Sequence, residues 1–369
     1  MIDVDRRGAA RIAAWALPLV LALSVLGPTA EAQGPVAGAP VLGYWTDTDV
    51  VVADGDGVEV RRFPNFDRFS LNGYVLAGEL PGAKSGKSRI VAYDATSGER
   101  LFRIPDARLP VVAAGGSKVA FFPTFDRDET MVSVWIRTPA GRLRKVAKFK
   151  AGPGYSGIRH GMRAGAVPLD IALDESGRTM AIAAGLETIR AFDVWVIDVK
   201  TKDATRMTRG ANSHNPSLSP DGEQLAVRVE STEPCPDPIY GEILIGKIRV
   251  KSIVTGESKT LTGFDCALFY DTPRWIDNES LAAVRVTRDA TQTYGYDLDI
   301  VKIDVASGEI TELVTTGNPC CITVSPSLSK VAYPFSDQPG FSLFDVGLAT
   351  AIGFPEGTYV PHLSGENRL

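Results

Sequence analysis

Few side chains in this chain could do chemistry, and they are scattered. Histidine occurs three times, as His160, His214 and His362, far apart along the sequence. Three imidazoles from separate units could converge on a metal ion, and a single one could carry a proton. They lack any ligand spacing, so the sequence assigns no metal site and no catalytic residue. Asp54-Gly55-Asp56-Gly57 pairs two carboxylates, yet the distant bidentate glutamate of a calcium loop is missing and a type I′ hairpin turn accounts for these residues. No Gly-x-Ser-x-Gly elbow is present, and no cofactor is expected. The four cysteines, Cys235, Cys266, Cys320 and Cys321, have no Cys-x-x-Cys spacing and no clustered histidine beside them, which favours structural disulfides over redox or metal work.

The elements that must position these residues are short strands and tight turns. In His214-Asn215-Pro216-Ser217-Leu218-Ser219-Pro220-Asp221-Gly222-Glu223-Gln224-Leu225-Ala226-Val227, apolar residues flank a Pro-Asp-Gly turn. Its small apolar pair, Leu225-Ala226, recurs as Leu76-Ala77, Val119-Ala120, Met180-Ala181, Leu281-Ala282 and Val331-Ala332, with alanines 43, 61, 45, 56 and 50 residues apart. A second series runs out of phase and marks another hairpin, as in Val91-Ala92-Tyr93-Asp94 before Ser97-Gly98, and Val301-Lys302-Ile303-Asp304 before Ser307-Gly308. Each unit then holds four strands, and a period of roughly 40 to 50 residues with four strands per unit predicts an all-β chain, a β-propeller.

The ends carry half-units that fit each other. Asp49 to Val60 reads as the second hairpin of a unit with no first, and Pro361 to Leu369 matches Pro273 to Leu281 in pattern. The last blade is therefore expected to be shared between the termini, giving about seven blades and no exposed sheet edge at the seam. Six blades with an N-terminal appendage is the alternative.

The unit Pro216 to Ala226 resembles the Ser-Pro-Asp-Gly repeat of TolB-like propellers, a branch related to WD-type repeats, and the resemblance covers the chain from about residue 41 onward. It implies a propeller fold.

Residues 1–32 read as a signal peptide: Arg6, Arg7 and Arg11 precede an apolar run from Ile12 to Leu26, and Ala30-Glu31-Ala32 offers a cleavage site. The run is shorter than the ~20 residues of a spanning helix, so no stable membrane span is expected after processing. Residues 33–40 form a flexible leader and residues 41–369 a single propeller domain. The net charge of −5 argues against nucleic acid as a partner.

In such a ring the loop after each second strand and the loop to the next blade share one rim. That rim is expanded, at Gly152–Val167, Glu230–Ile243, Gly263–Pro273, Thr287–Asp297 and Gly317–Cys321. All four cysteines fall on it. Cys235 and Cys266, in two rim loops of one blade, are expected to pair, leaving Cys320 and Cys321 as a vicinal bond or two free thiols. Candidate binding residues of the rim and axial channel are Arg159, His160, His214, Tyr240, Tyr270, Arg274, Arg288, Tyr294 and His362. Tyrosines and arginines of this kind suit a recognition surface. The reading is an exported, non-catalytic, monomeric binding protein of the periplasm or extracellular space, taking an envelope protein or a glycan. A lyase or hydrolase with its site at the axial channel, around His214, Arg274 and His362, is the alternative.

Overall fold

The repeated alanines mark the second strand of successive blades. The computed structural model describes residues 42–46, 48–82, 87–123, 131–150, 166–186, 191–209, 212–237, 241–263, 265–288, 296–315, 322–325, 330–334, 341–346, 350–354 and 359–363. Among them lie seven four-stranded antiparallel sheets and one two-stranded hairpin.

Blade 1 comprises Arg68–Asn72, Val75–Pro81, Ser88–Asp94 and Arg100–Pro105, and blade 2 comprises Ala107–Ala113, Lys118–Pro123, Met131–Arg137 and Leu143–Lys150. Blade 3 is Ala166–Leu173, Thr179–Leu186, Ala191–Asp198 and Ala204–Arg206; blade 4 is Ser213–Leu218, Gln224–Glu230, Gly246–Ser252 and Ser258–Thr260. Blade 5 is Leu268–Trp275, Ser280–Arg288, Tyr296–Asp304 and Ile310–Thr315, and blade 6 is Thr323–Ser325, Lys330–Pro334, Phe341–Asp345 and Thr350–Phe354. The first strand of each blade touches the first strand of the next, and Tyr359–Leu363 touches Arg68–Asn72, so the ring closes.

The seam departs from the expected half-and-half sharing. Blade 7 takes only its first strand, Tyr359–Leu363, from the C-terminal end, and its other three, Leu42–Trp45, Asp49–Ala53 and Glu59–Pro64, from the N-terminal end. Leu42-Gly43-Tyr44-Trp45 supplies the second strand, with Leu42 opposite both Ala53 and Leu363. Four residues were enough because both neighbours complete their hydrogen bonds.

Packing follows strand position. Second strands are covered on both faces by adjacent blades, so they read as continuous apolar runs: Leu225, Ala226 and Val227 are all buried. Ala77, Ala120, Ala181, Ala226, Ala282 and Ala332 are each buried. They face Ser70, Val111, Ala172, Ser217, Arg274 and Thr323 on the first strands. Small residues there let neighbouring blades approach. Fourth strands such as Ala204–Arg206 and Ser258–Thr260 are exposed and polar, which discourages edge pairing with other chains.

On the turn side, one device recurs. Asp94 Oδ1 accepts the amides of Thr96 and Ser97 at 3.0 and 2.7 Å, Asp198 Oδ1 those of Lys200 and Thr201 at 2.8 and 2.7 Å, and Asp304 Oδ1 that of Ser307 at 2.6 Å. A cation from the preceding blade then caps the same turn: Arg61 Nε donates to Thr96 O at 2.7 Å, Arg144 Nη2 to Lys200 O at 2.5 Å, and Lys259 Nζ to Val305 O at 2.9 Å.

The backbone N–H groups of Ser97, Thr201 and Ser307 hold the three carboxyls below the usual aspartate range. A folded value below the unfolded one contributes stability at higher pH, and that contribution is lost as pH falls through the depressed value. Chemical denaturation midpoints should therefore drop below about pH 4, the ordinary aspartate value, and drop less in a variant with asparagine at all three positions. An unchanged acid slope in that variant would contradict the assignment.

Candidate binding site on the loop rim

In blades 2, 4 and 5 the first strand breaks at an X-Pro pair, Leu109-Pro110, Asn215-Pro216 and Thr272-Pro273, where X has φ of 54°, 52° and 52°. Proline has no N–H for the ladder, and the register shifts across each pair. For a β-branched residue such as Thr272 this left-handed conformation costs about 1–3 kcal/mol. The break sets His214 and Asp271, the last residues before it in blades 4 and 5, beside the second strand of blade 4.

A charged cluster forms there. His214 lies opposite Arg228 in the register. Its Nε2 donates to Glu230 Oε1 at 2.9 Å, and Arg228 Nη1 reaches the same oxygen at 3.2 Å. Arg228 Nη1 is also 3.4 Å from Asp271 Oδ2, and Asn215 Nδ2 donates to Asp271 Oδ1 at 3.2 Å, which ties blade 4 to blade 5. Arg228 Nη2 donates to Leu244 O at 2.9 Å. Glu230 is the most buried member, with 6% of its side chain exposed, against 12% for Arg228, 19% for His214 and 29% for Asp271. Gly246 makes room for this: a Cβ there would stand 2.4 Å from Arg228 Nε and 2.7 Å from Tyr270 O. One guanidinium faces two carboxylates, and each carboxylate meets at least two donors. Such an arrangement holds two blades in register.

Above the cluster sits the extra hairpin, Cys235–Asp237 paired with Gly241–Ile243. Cys235 is bonded to Cys266, in the loop leaving blade 4, with Cα atoms 5.5 Å apart, as the loop positions predict. Arg288 Nη1, from the second strand of blade 5, donates to Pro236 O at 2.6 Å, and Ser231 N to Ile245 O at 2.8 Å. Cys235 and Ile245 pack with Phe269, Val284 and Val286 of blade 5. Disulfide, the Arg288 hydrogen bond and apolar contacts thus fasten the hairpin, and the ion cluster holds the Leu244 carbonyl just after it.

The crosslink spans 31 residues, and chain entropy puts its contribution at about 3–4 kcal/mol. Cys235→Ala with Cys266→Ala should lower stability by that order and raise amide exchange across residues 241–246. An exchange pattern identical to the parent's would show that the crosslink does not hold the hairpin.

The candidate residues divide by place. His214 is in the cluster, and Arg288 holds the hairpin. Tyr270 is buried in the core between blades 4 and 5, where burial pushes its hydroxyl above the usual tyrosine range. Arg274 is buried too, donating through Nη1 to Pro273 O at 2.7 Å. His362 pairs with Gly43 in blade 7 and is not part of the cluster of blades 4 and 5. Arg159, His160, Tyr240, Tyr294, Cys320 and Cys321 lie outside the described residues. Sequence reading missed Arg228, Glu230, Asp271 and Asn215. The signal was available: Arg228 and Glu230 stand two and four residues after Ala226, where blade 5 has Val284 and Val286 after Ala282.

No protein-family model matches the chain, and no curated protein matches it. Solved structures do. The β-propeller domain of the Trilobed protease from Pyrococcus furiosus is 11% identical, with 85% of each chain covered and a TM-score of 0.56. Oligogalacturonate lyase from Vibrio parahaemolyticus is 10% identical, with 86% of each chain covered and a TM-score of 0.56. TolB from Acinetobacter baumannii is 14% identical over 89% of this chain and 84% of its own, with a TM-score of 0.49. At such identities the first two likenesses speak for the fold alone, and they agree with the closed order of the seven sheets: this chain is a β-propeller.

Proposed function

We propose that this protein is an exported binding module of the cell envelope, non-catalytic, whose partner docks on the rim over blades 4 and 5. The observation that supports this most is the strand pair Cys235–Asp237 and Gly241–Ile243, tied down by the disulfide to Cys266 and by Arg288 of blade 5, beside the cluster of Arg228, Glu230 and Asp271. Strands anchored by a crosslink lose less conformational entropy when a partner binds. The disulfide fits an oxidising compartment, and no helix among the described residues is long and apolar enough to cross a membrane. The partner on this reading is an envelope protein, with a glycan as the other class that a polar rim can take.

One observation favours a second reading. An imidazole held by a buried carboxylate, as His214 is by Glu230, is the arrangement of a general acid–base pair, and a lyase or hydrolase could use it at the channel mouth.

The test passes envelope extract over oxidised protein from residue 33 onward, over a version with residues 235–243 replaced by a short Gly-Ser turn and Cys266→Ser, and over His214→Ala. Capture lost only in the shortened version supports the rim module. Equal capture by all three, or turnover of envelope glycan or peptide that His214→Ala abolishes, overturns it.

A further inference from the structure

The face opposite the rim carries a cleft of about 510 Å³ between blades 2 and 3. Its walls bear four cations, Lys118 and Arg144 from blade 2 and Arg178 and Lys200 from blade 3, with Asp198 as the one carboxylate and Val199 at the floor. The chain as a whole has a net charge of −5, so this concentration runs against its average. We propose that the cleft binds a small oxyanion-bearing molecule, a carboxylate or phosphate compound, independently of the rim.

Two of the cations are fixed in place before any ligand arrives. Lys118 Nζ donates to Ser176 O and Gly177 O at 2.8 and 3.0 Å, and Arg144 Nη2 to Lys200 O at 2.5 Å. These carbonyls orient the charges without cancelling them. Arg178 and Lys200 are exposed and able to close on a ligand. The acids nearby are committed elsewhere: Asp198 accepts the amides of Lys200 and Thr201, and buried Asp174 accepts those of Arg178 and Thr179 at 2.7 and 2.8 Å. The Lys118 ammonium is held below the usual lysine range by burial, with Asp174 opposing the shift and Arg178 adding to it. A cleft of ligand size is thus lined by four cations and one carboxylate.

Arg144 makes the turn cap that Arg61 and Lys259 make at other borders, but the fold does not dictate Arg178. Arg178 stands three residues before Ala181, and the same place in blades 4 and 5 holds Glu223 and Glu279, three before Ala226 and Ala282. Glutamate fits this turn in the sister blades, yet blade 3 carries arginine there.

The experiment titrates the oxidised full protein with inorganic phosphate, phenyl phosphate and citrate at low ionic strength, by calorimetry, beside Arg178→Glu, Lys200→Glu and the double variant. Thermal midpoints check that the variants fold. Saturable binding of one probe, at least tenfold weaker in each single variant with an unchanged midpoint, supports the site; preference for phenyl phosphate over citrate would name a phosphate source, and the reverse a carboxylate. Binding equal in parent and double variant, or no saturable binding of any probe by the parent, overturns it. The rim version with its hairpin shortened should bind the same probe as well as the parent does.

Discussion

Glu230→Ala should cost about 3 kcal/mol of stability, the low end for breaking a buried pair, because it removes the acceptor that Arg228 and His214 share in a site mostly closed to water. Asp271 keeps one counter-charge beside Arg228, at 3.4 Å, which limits the loss. Adding Arg228→Met should restore much of the loss, since an apolar side chain of similar length needs no counter-charge. Urea unfolding of the two single variants and the double one measures the coupling. A loss under 1 kcal/mol for Glu230→Ala would mean that the cluster is solvated and holds nothing together. The coupling also bears on function, because the same charges support the loop that carries the hairpin, through Arg228 and Leu244 O.

The second large effect is expected at Trp275. It is 1% exposed, packs with Tyr270, Leu281 and Ala226 across the border of blades 4 and 5, and donates from Nε1 to Ser217 O at 3.0 Å. Trp275→Ala leaves a cavity and an unpaired buried carbonyl together, for about 3–5 kcal/mol. Trp275→Phe keeps most of the ring and loses the hydrogen bond, so it should cost about 1–3 kcal/mol. The difference between the two in denaturant unfolding separates packing from hydrogen bonding. Equal costs would show that the bond to Ser217 dominates and that blade borders owe little to filling.

Much of this fold was legible because propeller blades repeat one physical problem. Ala77, Ala120, Ala181, Ala226, Ala282 and Ala332 sit where a central strand needs a small side chain on a doubly covered face, so the period survives even where the turn letters drift. The seam was only half legible. Leu42–Trp45 is four residues after a Gly/Pro-rich stretch, and its strand character depends on Asp49–Ala53 and on Tyr359–Leu363, more than 300 residues away. The pairing of Cys235 with Cys266 could be read from loop positions, since both loops leave the same blade on the same side.

The candidate site was the less legible part. His214 was visible as an imidazole, but the cluster that holds it draws on three strands, which meet through the register His214 opposite Arg228 and the blade neighbour Asp271. Tyr270 and Arg274 look like recognition residues by type, yet the strand that carries them packs inward against the neighbouring blades. Residue type alone cannot tell an interface arginine from a buried one. Comparison between copies can: Arg228 and Glu230 stand where blade 5 has Val284 and Val286, and Arg178 where blades 4 and 5 have Glu223 and Glu279, so each marks a departure from a neighbouring copy.

Site-specific photo-crosslinking in living cells tests the rim most directly. A photoreactive residue replacing Pro236 on the hairpin is compared with one replacing Val254, which is 77% exposed on the opposite, turn face. The expected result is a discrete adduct with an envelope component from position 236 and none from position 254. An adduct from position 254 alone, or none from 236 while the protein is folded and oxidised, would contradict a partner docking over blades 4 and 5.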